Sequence, residues 1–300
     1  MSFRTSIAVL GLVATFAAAP VAAEDLVLEP ASEWKLREYD DKCRMSRIFG
    51  TGEDSVTLWL DQGGEQPTYN LTLIGRPMRN PYGTNISIQF APEPEYSRAY
   101  LQAKSSKGRP VISLFGTRLT PTKAERELLG LDEASERSDE PVPLEAPRSM
   151  SDDRIAAITE LRLGRALMKP MVLRTGALAE PLSRLQTCAE KVTELVARNT
   201  ALAAIPPQPT EIERWAGIIQ QNYPKHLIRA GEEARVAVRL TISKQGKPSY
   251  CEITNVRGLT SFNDTVCLLL LRHATFKPAR SADGTAIAAR YATRVTFRLN

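Results

Sequence analysis

Residues 211–300 constrain the fold more tightly than any other stretch of this 300-residue chain. Within them, 234–242 place Val236, Val238, Leu240 and Ile242 on one face and Arg235, Ala237, Arg239 and Thr241 on the other. A period of two marks a strand with one buried face. Lys244, Gln245, Gly246, Lys247 and Pro248 follow as a turn, whose glycine can take positive φ and whose proline restarts the chain as extended. Residues 249–256 form the returning strand. Ser261 and Asp264 then fit a capping box that opens a helix through Cys267 and 268–271. Phe276-Lys277-Pro278 ends that helix, and 289–299 alternate again, with Tyr291, Thr293, Val295, Phe297 and Leu299 on one side. The order strand, turn, strand, helix, strand predicts an antiparallel three-stranded sheet packed with helices.

Those residues resemble the C-terminal domain of the TonB family of periplasmic proteins. The matching pieces, in order, are Tyr223-Pro224, the first strand with its Gly246 turn, Gly258 before the helix, Phe276-x-Pro278, and the Gly284 turn into the last strand. The chain departs from the family at Val256-Arg257-Gly258 and Phe262-Asn263, and has no aromatic at Ala274 or Thr275. In the family the last strand pairs with a short peptide near the N-terminus of outer-membrane transporters. The resemblance assigns that role to 290–299, with Arg290, Tyr291, Thr293, Arg294, Val295, Phe297 and Arg298 as the peptide-binding edge strand. A sheet edge presents unpaired N–H and C=O groups that an extended peptide can complete. Arg294 and Arg298 would then select acidic or polar neighbours, and a proline at Val295 should abolish pairing. A second reading stays open, in which this edge is covered by the N-terminal domain or by another copy of the chain.

In the fold implied by the resemblance, the strand carrying Cys251 and the helix carrying Cys267 are packed neighbours, so these two cysteines are paired. Cys43 and Cys188 are left for each other. An even number of cysteines suits an oxidising compartment. The front of the chain points the same way. Arg4, an apolar run over 7–19 and Val21-Ala22-Ala23 read as a secretory signal peptide over 1–23. The rival is a retained membrane anchor, for which the apolar run is short against the ~20 residues needed to span a bilayer. The periplasm is the expected location after cleavage at Ala23, and the inner membrane if the segment is kept.

Residues 24–204 read as a β-rich α+β domain. Short runs at 34–38, 44–49, 56–60, 69–74, 86–90 and 111–115 are separated by glycine turns, which suggests a small sandwich or barrel-like sheet. A helix is expected near 122–131. The stretch 132–153 holds 8 acids and 2 bases and reads as a loop. Over 155–175 a helix and two strands compete, and two strands with a turn fit better. A helix with one apolar stripe spans 180–199, and Ile205-Pro206-Pro207-Gln208-Pro209 begins a Pro-rich linker over 205–210. Residues 211–300 complete the chain.

The chemistry is that of binding. The two histidines, His226 and His273, sit in no catalytic or zinc-ligand pattern, and there is no Cys-x-x-Cys, phosphate-cradling loop or nucleophile elbow. No enzyme activity, metal or cofactor is expected. Residues 211–300 hold 14 Lys or Arg against 7 Asp or Glu. That excess fits acidic peptides, lipid headgroups or cell-wall polymers, or simply a solvated strand face. No nucleic-acid motif is present. The expected function is a periplasmic TonB-like binding protein that docks by strand addition on TonB-dependent outer-membrane transporters or other envelope partners. Two alternatives stand beside it: an anchored energy transducer that keeps 1–23, and an envelope interaction module unrelated to transport.

Overall fold

The structure, a computed structural model, describes residues 25–64, 66–122, 126–127, 130, 150–222, 228–229, 231, 233–257 and 262–299. The segment 1–23, His226, Tyr223-Pro224, Gly258, Ser261 and most of the acidic stretch lie outside the described residues.

The N-terminal half contains β1 (Leu26–Leu28), β2 (Lys35–Glu38), β3 (Cys43–Phe49), β4 (Val56–Gln62), β5 (Tyr69–Ile74), β6 (Asn85–Ala91), β7 (Tyr96–Lys104) and β8 (Pro110–Thr117). After these come α1 (Asp152–Ala157), β9 (Glu160–Leu163), β10 (Met171–Arg174) and α2 (Ala179–Leu202). The strands form one ten-stranded sheet in the order β1-β10-β9-β6-β7-β8-β5-β4-β3-β2. Its outer strands are consecutive in sequence. β1 lies parallel to β10, and the chain then crosses to β3, through a Pro30–Phe49 bridge and the bonds Ala31 N to Ile48 O (2.8 Å) and Gly50 N to Glu29 O (2.8 Å). The sheet therefore curls until its edges are stitched together, which removes the edges a flat sheet would expose.

Alternation decides which face is inward. Met45 and Phe49 of β3, Val56, Leu58 and Leu60 of β4, and Leu71 and Leu73 of β5 are buried in one core with Leu182, Leu185, Val192 and Val196 of α2. Each such side chain contributes roughly 1.5–3 kcal/mol by leaving water. Cys43 on β3 is disulfide-bonded to Cys188 on α2, tying the helix to the sheet.

Two strands, β1 and β7, have no counterpart in the sequence reading. β1 is only three residues long, and β7 alternates weakly, its inward side including Arg98, which donates through Nη2 to Gly116 O. Over 155–175 the two strands form, but α1 precedes them and begins at Asp152, so the acidic stretch gives way to helix before 153. Arg126 and Glu127 are helical.

The C-terminal half contains β11 (Gln208–Thr210), α3 (Ile212–Gln221), β12 (Ala234–Ile242), β13 (Pro248–Arg257), α4 (Phe262–His273), β14 (Thr275–Lys277), β15 (Ala279–Arg280), β16 (Ala286–Ile287) and β17 (Ala289–Phe297). Three strands pair as β13-β12-β17, all antiparallel. Val236, Val238, Leu240 and Ile242 face a second core with Trp215, Ile219, Val266, Leu270, Phe276 and Phe297. Cys251 on β13 is bonded to Cys267 on α4. The stretch 205–210 is not a free spacer. Ile205 bridges Arg280, and β11 pairs with β14, so the prolines lead directly into sheet.

The two halves meet through the second face of the three-stranded sheet. Tyr250 and Glu252 of β13 are buried there. The Tyr250 hydroxyl donates to Thr68 O (2.7 Å) and lies 2.6 Å from Thr68 Oγ1, while Gln66 N donates to Glu252 Oε1 (3.0 Å). A Cβ at Gly64 would lie 2.1 Å from Glu252 Oε1 and 2.3 Å from Tyr250 Cε1. Gly63-Gly64, legible in sequence only as a turn, is thus where one half approaches the other. Burial pushes the Tyr250 hydroxyl far above its ordinary range, so it stays a neutral donor.

Asp41 sits at the same junction, 7% exposed. Burial raises its pKa, against a hydrogen bond with Ser249 and the Lys42 charge, which lower it. A raised folded pKa means the protonated carboxyl suits the fold, so the stabilising state is complete at low pH and is lost as pH rises through the folded value. Asp41→Asn is therefore expected to raise Tm at neutral pH, with the gain shrinking as pH falls towards the carboxylate range. Paired thermal melts across pH check this; a gain that grew on acidification would contradict it.

Candidate functional site

All nine residues of β17 pair with β12, from Ala234 opposite Phe297 to Ile242 opposite Ala289. The other edge of β17 faces away from the sheet. Arg290 N donates across that edge to Thr200 Oγ1 of α2 (2.8 Å), so the even-numbered residues aim their backbone groups outward. Two more bonds agree in parity: Asn199 Nδ2 to Ala288 O and Gln220 Nε2 to Arg298 O, both 3.1 Å. Leu299 N, of the other parity, is held on the β12 side by Glu233 Oε1 at 3.0 Å.

The Thr200, Asn199 and Gln220 contacts close both ends of the outward edge and leave its middle open. Among the described residues, none pairs with the outward backbone groups of Ala292, Arg294 and Thr296. Each offers one N–H and one C=O. The opposite edge of the sheet is not available in the same way. Gln66 Nε2 donates to Ile253 O (3.1 Å) and Asn70 Nδ2 to Ser249 O (3.3 Å), so the N-terminal half covers β13 there.

The seven expected edge residues divide by face. Tyr291, Thr293, Val295 and Phe297 turn towards α4. Phe297 is 0% exposed in the core, and Tyr291 meets Phe276 edge-on at 4.9 Å between centroids. Arg290, Arg294 and Arg298 lie on the opposite face, with Arg294 and Arg298 exposed and Arg290 half-buried. Arg239 on β12 lies opposite Ala292 on this face and pairs with Glu252 at 3.6 Å. The face beside the open edge is therefore basic.

The backbone parity also corrects the proline argument. The N–H of Val295 points into the β12 ladder, so proline there would damage the sheet itself. Proline at Arg294 would remove an outward donor instead. The residues that delimit the edge, Asn199, Thr200 and Gln220, carry no local sequence signal for this role, because each acts across a large gap in the chain.

His273, at the end of α4, is half-buried, and its pKa is lowered by desolvation and by the Arg272 and Arg214 charges. Among the described residues no helix is long and apolar enough to cross a membrane. No curated protein and no solved structure matches the chain. The family model for the C-terminal region of the Gram-negative bacterial TonB protein does match, over 219–299, a span that begins in α3 and runs through β17. With its strand–turn–strand–helix–strand unit and that match, this is a TonB C-terminal domain-containing protein.

Proposed function

We propose that the open middle of β17 receives an extended peptide from a protein partner in the cell envelope, by strand addition. One observation carries this reading: among the described residues, three successive outward-facing positions, 292, 294 and 296, have no backbone partner, on an edge whose two ends are capped. At roughly 3.4 Å per strand residue, the gap takes a peptide of about five residues. Backbone bonds supply most of the affinity, and Arg294 and Arg298 favour acidic or polar side chains on the same face. The TonB C-terminal match suggests transport-related contacts in the envelope, so the N-terminal segment of a TonB-dependent outer-membrane transporter is the proposed partner. The work of the protein is then binding rather than catalysis, in the periplasm.

The test is an amide NMR titration of the isotope-labelled chain with synthetic transporter N-terminal peptides. Shifts should concentrate over 292–296 and fade beyond the capped ends. Arg294→Pro should weaken binding at least tenfold, since each lost hydrogen bond is worth about 1 kcal/mol and the ring also blocks the approach. Thr293→Ala, whose side chain turns away from the edge, should change affinity little. Shifts confined to α4 or to the N-terminal half would remove the strand-addition reading.

A further inference from the structure

The curled sheet has two ends, and they differ in chemistry. At one end β5, β7 and β9 finish and β6, β8 and β10 begin, which gathers the loops 75–84, 105–109 and 164–170. Contacts hold these loops together. Tyr82 N donates to Ala166 O (2.8 Å), Tyr100 Oη to Gly83 O (2.9 Å) and Gly75 N to Pro110 O (3.0 Å). The C-terminal half is fastened to the other end, through Gln66, Thr68 and Asn70 at the start of β5.

Five cations stand on the free end: Arg79, Lys104, Lys107, Arg165 and Lys169. All are exposed, and none forms an ion pair among the described residues. The described acids at this end are Asp25, Glu53 and Asp54, and Glu53 is already paired with Arg76. Between the cations, Tyr82 is 59% exposed and Met168 is 67% exposed. Asn80, Arg165 and Ala166 hold positive φ (48°, 22° and 75°), conformations that cost about 1–3 kcal/mol each and persist only where the surroundings enforce them. Aromatic and thioether tips among unpaired cations are the chemistry of a protein surface that meets lipid headgroups.

The position of the chain's start selects lipid over other anions. Leu26 N donates to Pro170 O (2.8 Å), so the 25 residues before it lead into the fold beside Lys169 and Met168. Those residues contain the apolar run 7–19. The one segment of this chain with a bilayer-seeking sequence is thus attached at the basic end.

We propose that this end, bearing Arg79, Arg165, Lys169, Tyr82 and Met168, rests on an anionic lipid surface, which directs the β17 edge away from the membrane. This surface is separate from the β17 edge, and its fate is independent of the strand-addition reading. The test uses the chain from Glu24 onward, which keeps every described residue, in flotation with vesicles of phosphatidylglycerol and phosphatidylethanolamine. Phosphatidylcholine vesicles serve as the neutral comparison.

Binding to the anionic vesicles should weaken with salt and be weak on the neutral ones. Each cation near an anionic surface is worth about fivefold in partitioning, so R165Q/K169Q should lower it about 25-fold. K191Q/R198Q, with the same charge change on α2, should leave it unchanged. Y82S/M168S should lower binding without altering its salt dependence. Absence of flotation on the anionic vesicles overturns the proposal. Equal loss from K191Q/R198Q overturns it too, because net charge alone would then account for binding.

Discussion

Gly246→Ala is expected to unfold the C-terminal domain at a denaturant concentration the native chain tolerates. Gly246 holds φ +75°, and a Cβ there would lie 2.1 Å from Phe276 O. The left-handed backbone alone costs about 1–2 kcal/mol for a residue with a side chain. The overlap adds more, because the obstructing group is a backbone carbonyl held in place from two sides. Phe276 N donates to Gly246 O at 3.0 Å, and Phe276 is paired with Pro209 in the β11–β14 ladder. The same contact explains why a glycine turn and a Phe-x-Pro segment occur together in this chain. Each docks on the other, and Pro278 Cδ completes the fit 3.5 Å from the absent Cβ. Gly284→Ala is the internal control. Gly284 has φ +85° but nothing within 4 Å of an added Cβ, so it should lose only the backbone contribution. Urea unfolding followed by hydrogen exchange in β12 and β14 would compare the two. Equal losses would show that the Phe276 contact carries no weight.

Removing the Cys43–Cys188 bond by substituting both with alanine should cost about 5 kcal/mol, the chain-entropy value for its 145-residue separation. The Cys251–Cys267 bond closes a 16-residue separation and should be worth about 3 kcal/mol on the same basis. The first figure is a third or more of the whole stability of a typical domain, at about 5–15 kcal/mol. Its loss should also reach the candidate site. α2 presents Asn199 and Thr200 to the start of β17, so a helix released from β3 loosens that cap. Amide exchange at Arg290 should then rise, while Val236 and Val238, in the second core, keep their protection. A loss of stability below about 1 kcal/mol, or unchanged exchange at Arg290, would contradict this account.

Much of the C-terminal domain is legible in the residues themselves. The alternation of Val236, Val238, Leu240 and Ile242 is a local pattern of period two, and local patterns determine which face of a strand leaves water. The bounds of β12 coincide with 234–242 for that reason. The helix over 180–199 is equally readable from its apolar stripe, and extends to Leu202. β7 is not, because its inward side carries polar atoms satisfied by distant carbonyls. Nor does the pattern of short strands between 34 and 120 reveal that β1 and β2 join the two edges of one sheet, since that depends on pairing with β10, far along the chain.

The candidate site divides in the same way. By itself the sequence determined the last strand, its two faces and the family resemblance, because these follow from alternation and from turn residues a few positions apart. Only the tertiary structure decided how much of the edge is open. Asn199, Thr200 and Gln220 reach β17 from elements remote in sequence, and Gln66 and Asn70 cover β13 from the other half of the molecule. A backbone group is free or engaged according to what the rest of the chain brings within 3.5 Å of it, and no local pattern records that distance.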